Sequence, residues 1–374
     1  MHLQQIKLIH FKNYETQSLD FSEQLNCFVG LNGMGKTNML DAIYYLCVGK
    51  SYFALNDRAV VRQQSEDGFF RLEGQFWKEN KLEQVVVKVI PGKRKEIEHN
   101  RVAYQKLSEH LGHFPVVMLS PFDINIALEG SEGRRRFLDN SLSQLDGNYL
   151  HQLIQYNKLL AQRNALLKQM AERRSFQAEL LEVYDLQMIP LGQSVFEKRQ
   201  QFLNDFATHF QHFHHIISAE QEQVSYRYKS SLENGDFETL LQEAVEKDRI
   251  LQRSTVGIHK DDIQFLIGEY PLKRYASQGQ LKSFVLALKL AQYRLFRLST
   301  GQAPLLLLDD IFDRLDGERV THLVQLLLQE EFGQVFITDT DEERMTQLIE
   351  AFGVSYRKFV VKDGSITHLN LNGN

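Results

Sequence analysis

Cysteine is nearly missing from this chain: Cys27 and Cys47 are the only two among 374 residues. A disulfide framework is thereby excluded. Cys27 lies in an apolar run and Cys47 in a helical stretch, so both read as small core residues of a reduced protein. No stretch approaches the ~20 consecutive apolar residues that span a bilayer. The start, MHLQQIKLIHFKNYE, sets polar and charged side chains where a signal peptide needs an unbroken apolar segment. These absences predict a cytoplasmic protein without a membrane partner. An excess of positive charge is missing too, since 43 Lys and Arg stand against 48 Asp and Glu, a net charge of −5. Any nucleic-acid binding must therefore come from local patches. Repeats and low-complexity segments are also lacking.

What is present begins with size. At 374 residues the chain exceeds the length at which one core stops growing, so one bilobed domain or two domains is expected. The first 30 residues alternate as strands do: Ile6, Leu8 and Ile9, then Leu19 and Phe21, then Leu25, Cys27, Phe28 and Val29. After Thr37 the spacing becomes helical through Met39, Leu40, Ile43, Leu46 and Cys47. FFRLEGQFW and LEQVVVKVI read as an antiparallel pair joined around Lys78–Lys81, with PGKRKE a basic turn after it. From about 134 to 250 helix formers dominate, with helical spacing at Leu153, Tyr156, Leu159 and Leu160. Pro190 and Gly192 predict a break in a second helical tract. Strand character returns in APLLLLDDIF, GQVFITDT and RKFVVKDG. The expectation is an α/β protein with a discontinuous nucleotide lobe at 1–103 and 304–374. A mostly helical lobe at 104–303 is inserted into it.

Two motifs carry chemistry. Gly30-Leu31-Asn32-Gly33-Met34-Gly35-Lys36-Thr37 follows an apolar strand and opens a helix, the context that a phosphate loop needs. Glycines let successive backbone N–H groups face phosphate oxygens, and the helix N-terminus adds partial positive charge. Lys36 would reach the β- and γ-phosphates of ATP, and the Thr37 hydroxyl would ligate Mg²⁺. The second motif is Leu305–Leu308 followed by Asp309 and Asp310, a buried parallel strand ending in two carboxylates. Ligands of open α/β sheets sit beyond the carboxyl ends of the strands. Asp309 would hold Mg²⁺, directly or through water, and Asp310 would orient the attacking water.

Between these motifs, Ser277-Gln278-Gly279-Gln280 precedes the amphipathic stretch LKSFVLALKLAQYRLF. The tetrapeptide resembles the signature of ABC-type ATPases, in which the signature of one subunit caps the γ-phosphate held by another. A plain serine helix cap explains it as well. More broadly, HFKNY, GLNGMGKTNMLDAIYYL, LSPFDINIALEGSEGRRRFLDNSL, VGIHKDD, SQGQLKSFVLALKLAQ and LLLLDDIFDRLD occur in the order and spacing of the RecF family of bacterial DNA-repair proteins. The resemblance covers nearly the whole chain. It implies an ABC/SMC-type P-loop ATPase head with an inserted α-helical lobe and no long coiled coil. It implies an ATP-dependent homodimer that binds duplex DNA near single-stranded gaps and hydrolyses ATP slowly. It also implies cooperation with RecR and RecO in placing RecA, with Ser277, Gly279 and Gln280 joining residues 30–37 as nucleotide contacts. The sequence departs from the family pattern at Asp41, at Phe53 where an arginine is expected, at Phe122, and at Ile258 and Lys260.

The competing readings are an ABC transporter ATPase subunit and an SMC-like structural ATPase. Against the first, Lys36 and Ser277 are separated by more than half the chain. Against the second, residues 145–250 lack the sustained heptads of a coiled-coil arm. Four features keep two readings each. Arg134-Arg135-Arg136 would meet DNA phosphates or nucleotide, or form a solvated helix start with Arg–Asp pairs. Lys93-Arg94-Lys95 with Arg101 would be a DNA contact or a charged turn. His209, His212, His214 and His215 read as polar helix surface rather than a metal site. His259 would sense phosphates or belong to a structural turn.

Overall fold

The architecture is that of a computed structural model, which describes residues 1–63, 65, 68–218, 222–312, 323, 325–327, 332–353 and 355–369. In chain order the strands and helices are β1 (His2–Phe11), β2 (Tyr14–Asp20), β3 (Leu25–Val29), α1 (Lys36–Val48), β4 (Phe70–Lys78), β5 (Lys81–Val89), β6 (Glu96–His99), β7 (Val102–Ala103) and β8 (Val116–Leu119). There follow α2 (Ile124–Leu128), α3 (Ser131–Leu145), α4 (Gly147–Arg173), α5 (Ala178–Ser218), β9 (Val224–Lys229), α6 (Phe237–Leu251), β10 (Asp262–Ile267), β11 (Tyr270–Pro271) and α7 (Leu272–Tyr275). The last are α8 (Gln278–Thr300), β12 (Leu305–Asp309), β13 (Val335–Asp339), α9 (Glu342–Phe352), β14 (Tyr356–Lys362) and β15 (Ser365–Leu369). The end of LLLLDDIFDRLD, residues 313–316, lies outside the described residues.

The chain divides into two compact units, one of Met1–Asp123, Phe213–Glu220 and Lys282–Asn374, the other of Ile124–His212 and Gln221–Leu281. The sequence reading places its lobe boundaries at 103/104 and 303/304; these units part at Asp123/Ile124 and Leu281/Lys282. The reason is pairing at a distance. β8 runs parallel to β12 and so belongs to the nucleotide sheet. Further along α8, Lys289 Nζ donates to the Tyr52 hydroxyl at 2.9 Å, and the Tyr293 hydroxyl accepts from the Gly333 N–H at 2.7 Å.

The first unit holds two six-stranded sheets, ordered β2-β1-β4-β5-β6-β7 and β15-β14-β3-β13-β12-β8. β4 and β5 form the expected antiparallel pair, Lys78 opposite Lys81. The core cluster joins side chains of β1, β4 and β5 to those of α1, β3, β8 and β12. Ten residues of α1 are buried, Met39 through Cys47 without a gap among them. A helix buried all round belongs between layers rather than on a surface. β3, β8, β12 and β13 are buried at every position, as parallel strands covered on both faces are. Register then sets the site. β13 lies between β3 and β12, with Asp339 opposite Val29 and Thr338 opposite Asp309. The carboxyl ends of three strands therefore finish side by side.

The second unit is mostly helical but contains a three-stranded antiparallel sheet, β11-β10-β9, that the sequence reading does not foresee. α4 ends on Arg174 in the left-handed conformation, and Leu167, Met170 and Leu181 form a small core across the turn into α5. This is a short helical arm. α5 runs unbroken through Pro190, which corrects the expected interruption. Proline removes one helical donor, and packing holds the helix on both sides of it. Gly192 is a packing residue there: a Cβ on it would lie 2.5 Å from Cε1 of Phe237. Among the described residues no helix is long and apolar enough to cross a membrane.

Candidate nucleotide site

The loop that leaves β3 turns on Gly30, Gly33 and Gly35, at φ of 151°, 81° and 121°. Two of these tolerate no side chain at all. A Cβ on Gly30 would sit 2.4 Å from the carbonyl oxygen of Val361, and one on Gly35 would sit 2.5 Å from Nδ2 of Asn13. The loop is fastened from outside by groups that bind its carbonyls. Asn13 Nδ2 donates to Met34 O at 2.9 Å, the Tyr14 hydroxyl donates to Gly35 O at 2.9 Å, and the Gly364 N–H donates to Met34 O at 3.2 Å. Asn38 Nδ2 in turn donates to Asn13 Oδ1 at 2.7 Å. Because those carbonyls are held, the N–H groups at the start of α1 stay available to an anion. Lys36 Nζ lies within the loop, donating to Gly30 O at 2.6 Å and Leu31 O at 3.0 Å.

Thr37 and Asp309 meet although 272 positions part them. The Thr37 hydroxyl lies 2.8 Å and 3.0 Å from the two carboxylate oxygens of Asp309. Thr338 donates to Asp309 Oδ1 at 2.8 Å and accepts from the Asp310 N–H at 2.9 Å. Asp310 itself has φ of 46°, a left-handed conformation uncommon for a residue with a Cβ. Burial pushes the Asp309 carboxyl above the usual carboxylate range, and the hydrogen bonds from Thr338 and Thr37 oppose that shift. Burial lowers the Lys36 ammonium against the pull of Asp310, Asp309 and Asp339. Asp339 is fully buried and held by Arg344, whose Nε and Nη2 donate at 2.8 and 2.5 Å.

This donor set fits Mg²⁺, which takes one or two protein oxygens and fills its octahedron with phosphate and water. Thr37 and Asp309 are the residues that would hold it. Among the described residues no group of three or more His, Cys, Asp or Glu is placed to hold a metal, and that includes the histidines at 209–215.

The sequence-predicted residues thus divide. Residues 30–37, Asp309 and Asp310 come together in the first unit. Ser277, Gly279 and Gln280 belong to the second. There Ser277 Oγ accepts from the Gln280 N–H at 3.2 Å, and Gln280 Oε1 accepts from the Ser277 N–H at 2.7 Å, a reciprocal cap that starts α8. Asn13, Tyr14, Asn38 and Thr338 were missed as site residues. Asn13 and Tyr14 lie in the HFKNY segment, and Thr338 is a polar residue near the end of an otherwise apolar strand.

Several two-way readings close. Lys95 is half-buried, donating to Gly49 O at 2.6 Å, pairing with Asp57 at 3.1 Å and lying 4.7 Å from the Tyr45 ring. Arg94 binds the Gln105 carbonyl. Lys95 is therefore a structural residue of the turn, while Lys93, Arg94 and Arg101 are exposed. Arg134 pairs with Asp262 at 2.7 Å and Arg136 with Glu132 at 2.9 Å, as in the helix-start reading. His259 is 3.0 Å from the Tyr156 hydroxyl and 3.1 Å from Ser254 O, a turn residue. Phe53 packs edge-on against Phe122, with ring centroids 6.0 Å apart, and Lys12 Nζ lies 5.2 Å from its ring. Two of the departures from the family pattern are therefore in contact with each other.

Comparison with known proteins shows the family. Residues 2–362 match the family model described as the RecF/RecN/SMC N terminal domain. A Flavobacterium johnsoniae protein named DNA replication and repair protein RecF is 45% identical over 359 residues, covering 96% of this chain and 99% of that protein. A Phocaeicola vulgatus protein of the same name is 42% identical, covering 98% of each. A solved structure of the recombination mediator protein RecF with ATP, in the RecFOR pathway, superposes with a TM-score of 0.88 at 30% identity, covering 98% of this chain and 97% of that one. An Smc head bound to the C-terminal winged-helix domain of ScpA superposes at 0.59 with 15% identity, covering 99% and 98%, a likeness of fold.

Proposed function

The chain belongs to the RecF family of ABC/SMC-type ATPases, and we propose that it is an ATP-operated DNA-binding protein of replication and repair. The observation that carries the reading is the contact between Thr37 and Asp309 at the mouth of the phosphate loop. A hydroxyl and a carboxylate beside the Lys36 ammonium support the reading, because Mg²⁺ with a nucleotide phosphate would use all three.

ATP would lie with its phosphates on the N–H groups of residues 30–37, its β- and γ-oxygens facing Lys36. Bound Mg²⁺, held by Thr37 and Asp309, would neutralise charge developing between those phosphates. Asp310 would orient the attacking water. Aspartate is one methylene shorter than glutamate, and a misplacement of about 1 Å can cost about a hundredfold in rate, so hydrolysis is slow and acts as a timer. Ser277, Gly279 and Gln280 of a second copy would cap the γ-phosphate, so that ATP drives homodimerisation. The dimer would bind duplex DNA near single-stranded gaps and, with RecR and RecO, help to place RecA. The relatives' names and the structure of RecF with ATP support the nucleotide and the repair role.

The test is size in solution without nucleotide and with ADP, ATP or a slowly hydrolysed analogue, paired with DNA binding by fluorescence anisotropy. The expected result is a dimer with ATP and its analogue alone, and duplex affinity that tracks the dimer. A monomer under all four conditions would remove the switch.

A further inference from the structure

We infer that the loop at 253–262 of the second unit, with Arg135 of α3 bonded to it, is a rigid platform that presents Arg135, Arg253 and Lys260 to the phosphate backbone of duplex DNA. The inference rests on the DNA-binding reading above and deepens it by assigning the surface.

The loop is held by an unusual number of buried charges. Arg163, wholly buried, donates to Asp185 at 2.6 Å, to Asp248 at 2.5 Å and to the Ser254 hydroxyl at 3.0 Å. Arg199, 1% exposed, donates to Ile258 O at 2.8 Å, to Asp261 at 2.7 Å and to Asp139 at 2.8 Å. Asn164 Oδ1 accepts from both the N–H and the hydroxyl of Ser254, and Asp248 Oδ1 accepts from the Thr255 N–H. Buried ion pairs are poor sources of net stability, because the desolvation of each ion offsets their attraction. What two of them supply here is a fixed loop shape.

The charges borne on that shape point the same way. Lys260 and Arg253 are exposed, and among the described residues neither has a carboxylate within ion-pair distance. Arg135 Nη1 donates to the carbonyl of Asp261, the residue after Lys260, at 2.7 Å. Burial, then Arg253 and Arg135, lower the Lys260 ammonium against a weaker pull from Asp248, so Lys260 lies in the field of both arginines. Their neighbours are neutralised: Arg134 by Asp262, Arg136 by Glu132 and Arg249 by Glu246. A chain of net charge −5 has carboxylates to spare, yet among the described residues pairs none of them with Lys260 or Arg253. Repulsion on Lys260 is relieved by a polyanion, and a fixed group of cations suits a phosphate backbone without reading bases.

The test uses Arg253→Gln/Lys260→Gln and Arg253→Glu/Lys260→Glu in the full chain. Both positions are exposed, so folding is preserved; Arg135 is left intact because it binds the Asp261 carbonyl. Duplex affinity is measured with ATP by anisotropy at several salt concentrations, with ATP affinity by calorimetry and dimer formation by sizing. For the Gln pair, which removes four cations from the homodimer, the slope of log affinity on log salt should become shallower by up to about 4, near one unit for each phosphate no longer neutralised. The Glu pair should bind at least about tenfold more weakly at low salt, by the same electrostatic account. ATP affinity and dimerisation should not change. A wild-type slope and affinity in both variants would overturn the platform while leaving the DNA-binding reading in place. Loss of ATP-driven dimerisation in parallel would overturn it too, because the effect would then run through the nucleotide. If the wild-type protein binds no duplex with ATP, the broader reading falls and the platform with it.

Discussion

Thr338 holds Asp309 in place: its hydroxyl donates to Asp309 Oδ1 at 2.8 Å and is itself the acceptor for the N–H of Asp310 at 2.9 Å. One buried side chain thereby sets the carboxylate proposed for Mg²⁺ and the backbone of the residue proposed to orient water. Thr338→Val keeps the shape and removes the hydroxyl, leaving the Asp310 N–H without its acceptor. An unsatisfied buried group costs about 1–3 kcal/mol. Phosphate release should fall by roughly tenfold or more on that scale, with ATP affinity in the absence of Mg²⁺ little changed, and Thr338→Ser should restore most of the rate. Asp310→Asn should suppress turnover further and leave dimerisation intact. Equal rates in the Val and Ser variants would remove the positioning role.

Lys36→Ala should abolish tight ATP binding measured by calorimetry. The substitution removes the one ammonium within the loop and the donor shared by Gly30 O and Leu31 O. A hydrogen bond to a charged group contributes about 1.5–3 kcal/mol, so the loss should be roughly ten- to hundredfold at least. Unchanged affinity would mean that the phosphates lie elsewhere.

Ser277 offers a way to separate helix capping from phosphate capping. Ser277→Arg removes the cap on α8 and places a bulky cation there. Ser277→Asp keeps a capping oxygen for the Gln280 N–H but sets a carboxylate where a partner's γ-phosphate would dock. Both variants should bind ATP as monomers and fail to dimerise, while only Ser277→Arg loses the roughly 1 kcal/mol that a cap supplies. An Asp variant that dimerises normally with ATP would leave Ser277 as a helix cap alone.

Stability should fall on mild acidification. Burial brings the rings of His259 and His110 down to about 4, from an ordinary value near 6.5. Above about pH 6.5 both are neutral in the folded and unfolded chain. Between about 6.5 and 4 the unfolded chain takes up protons that the fold refuses, so stability declines as pH falls and levels off below about 4. Each ring can withdraw up to roughly 3 kcal/mol. Melting temperatures across this window should drop less steeply for His259→Gln than for the wild type. Parallel curves would show that this ring is not the coupled group.

What was legible in the sequence is what is local in the chain. Residues 30–37 carry their own backbone requirements, and the strand before them and the helix after them are contiguous, so eight residues suffice to read the phosphate loop. Leu305–Asp309 reads as a central strand because four apolar residues in a row have no wet face. The β4–β5 pair is legible because its turn and its alternation are adjacent. The order of motifs along the chain disclosed the family.

The rest depended on partners far away. Thr338 matters because β13 lies beside β12 in a register that sets it opposite Asp309, and nothing in GQVFITDT states that register. Lys95 belongs by sequence to a basic stretch, and Asp57 and the Gly49 carbonyl tie it inward. Pro190 signals a helix end by its local chemistry, and α5 runs on because tertiary packing outweighs one lost donor. The break between units likewise follows β8 into a sheet whose next strand lies far along the chain. Backbone conformation at a glycine turn is settled within a few bonds, so sequence alone determined the glycine loop between β3 and α1. Which carboxylate meets which hydroxyl, and which cations are left unpaired, are properties of contacts across the chain, and only the tertiary structure decided them.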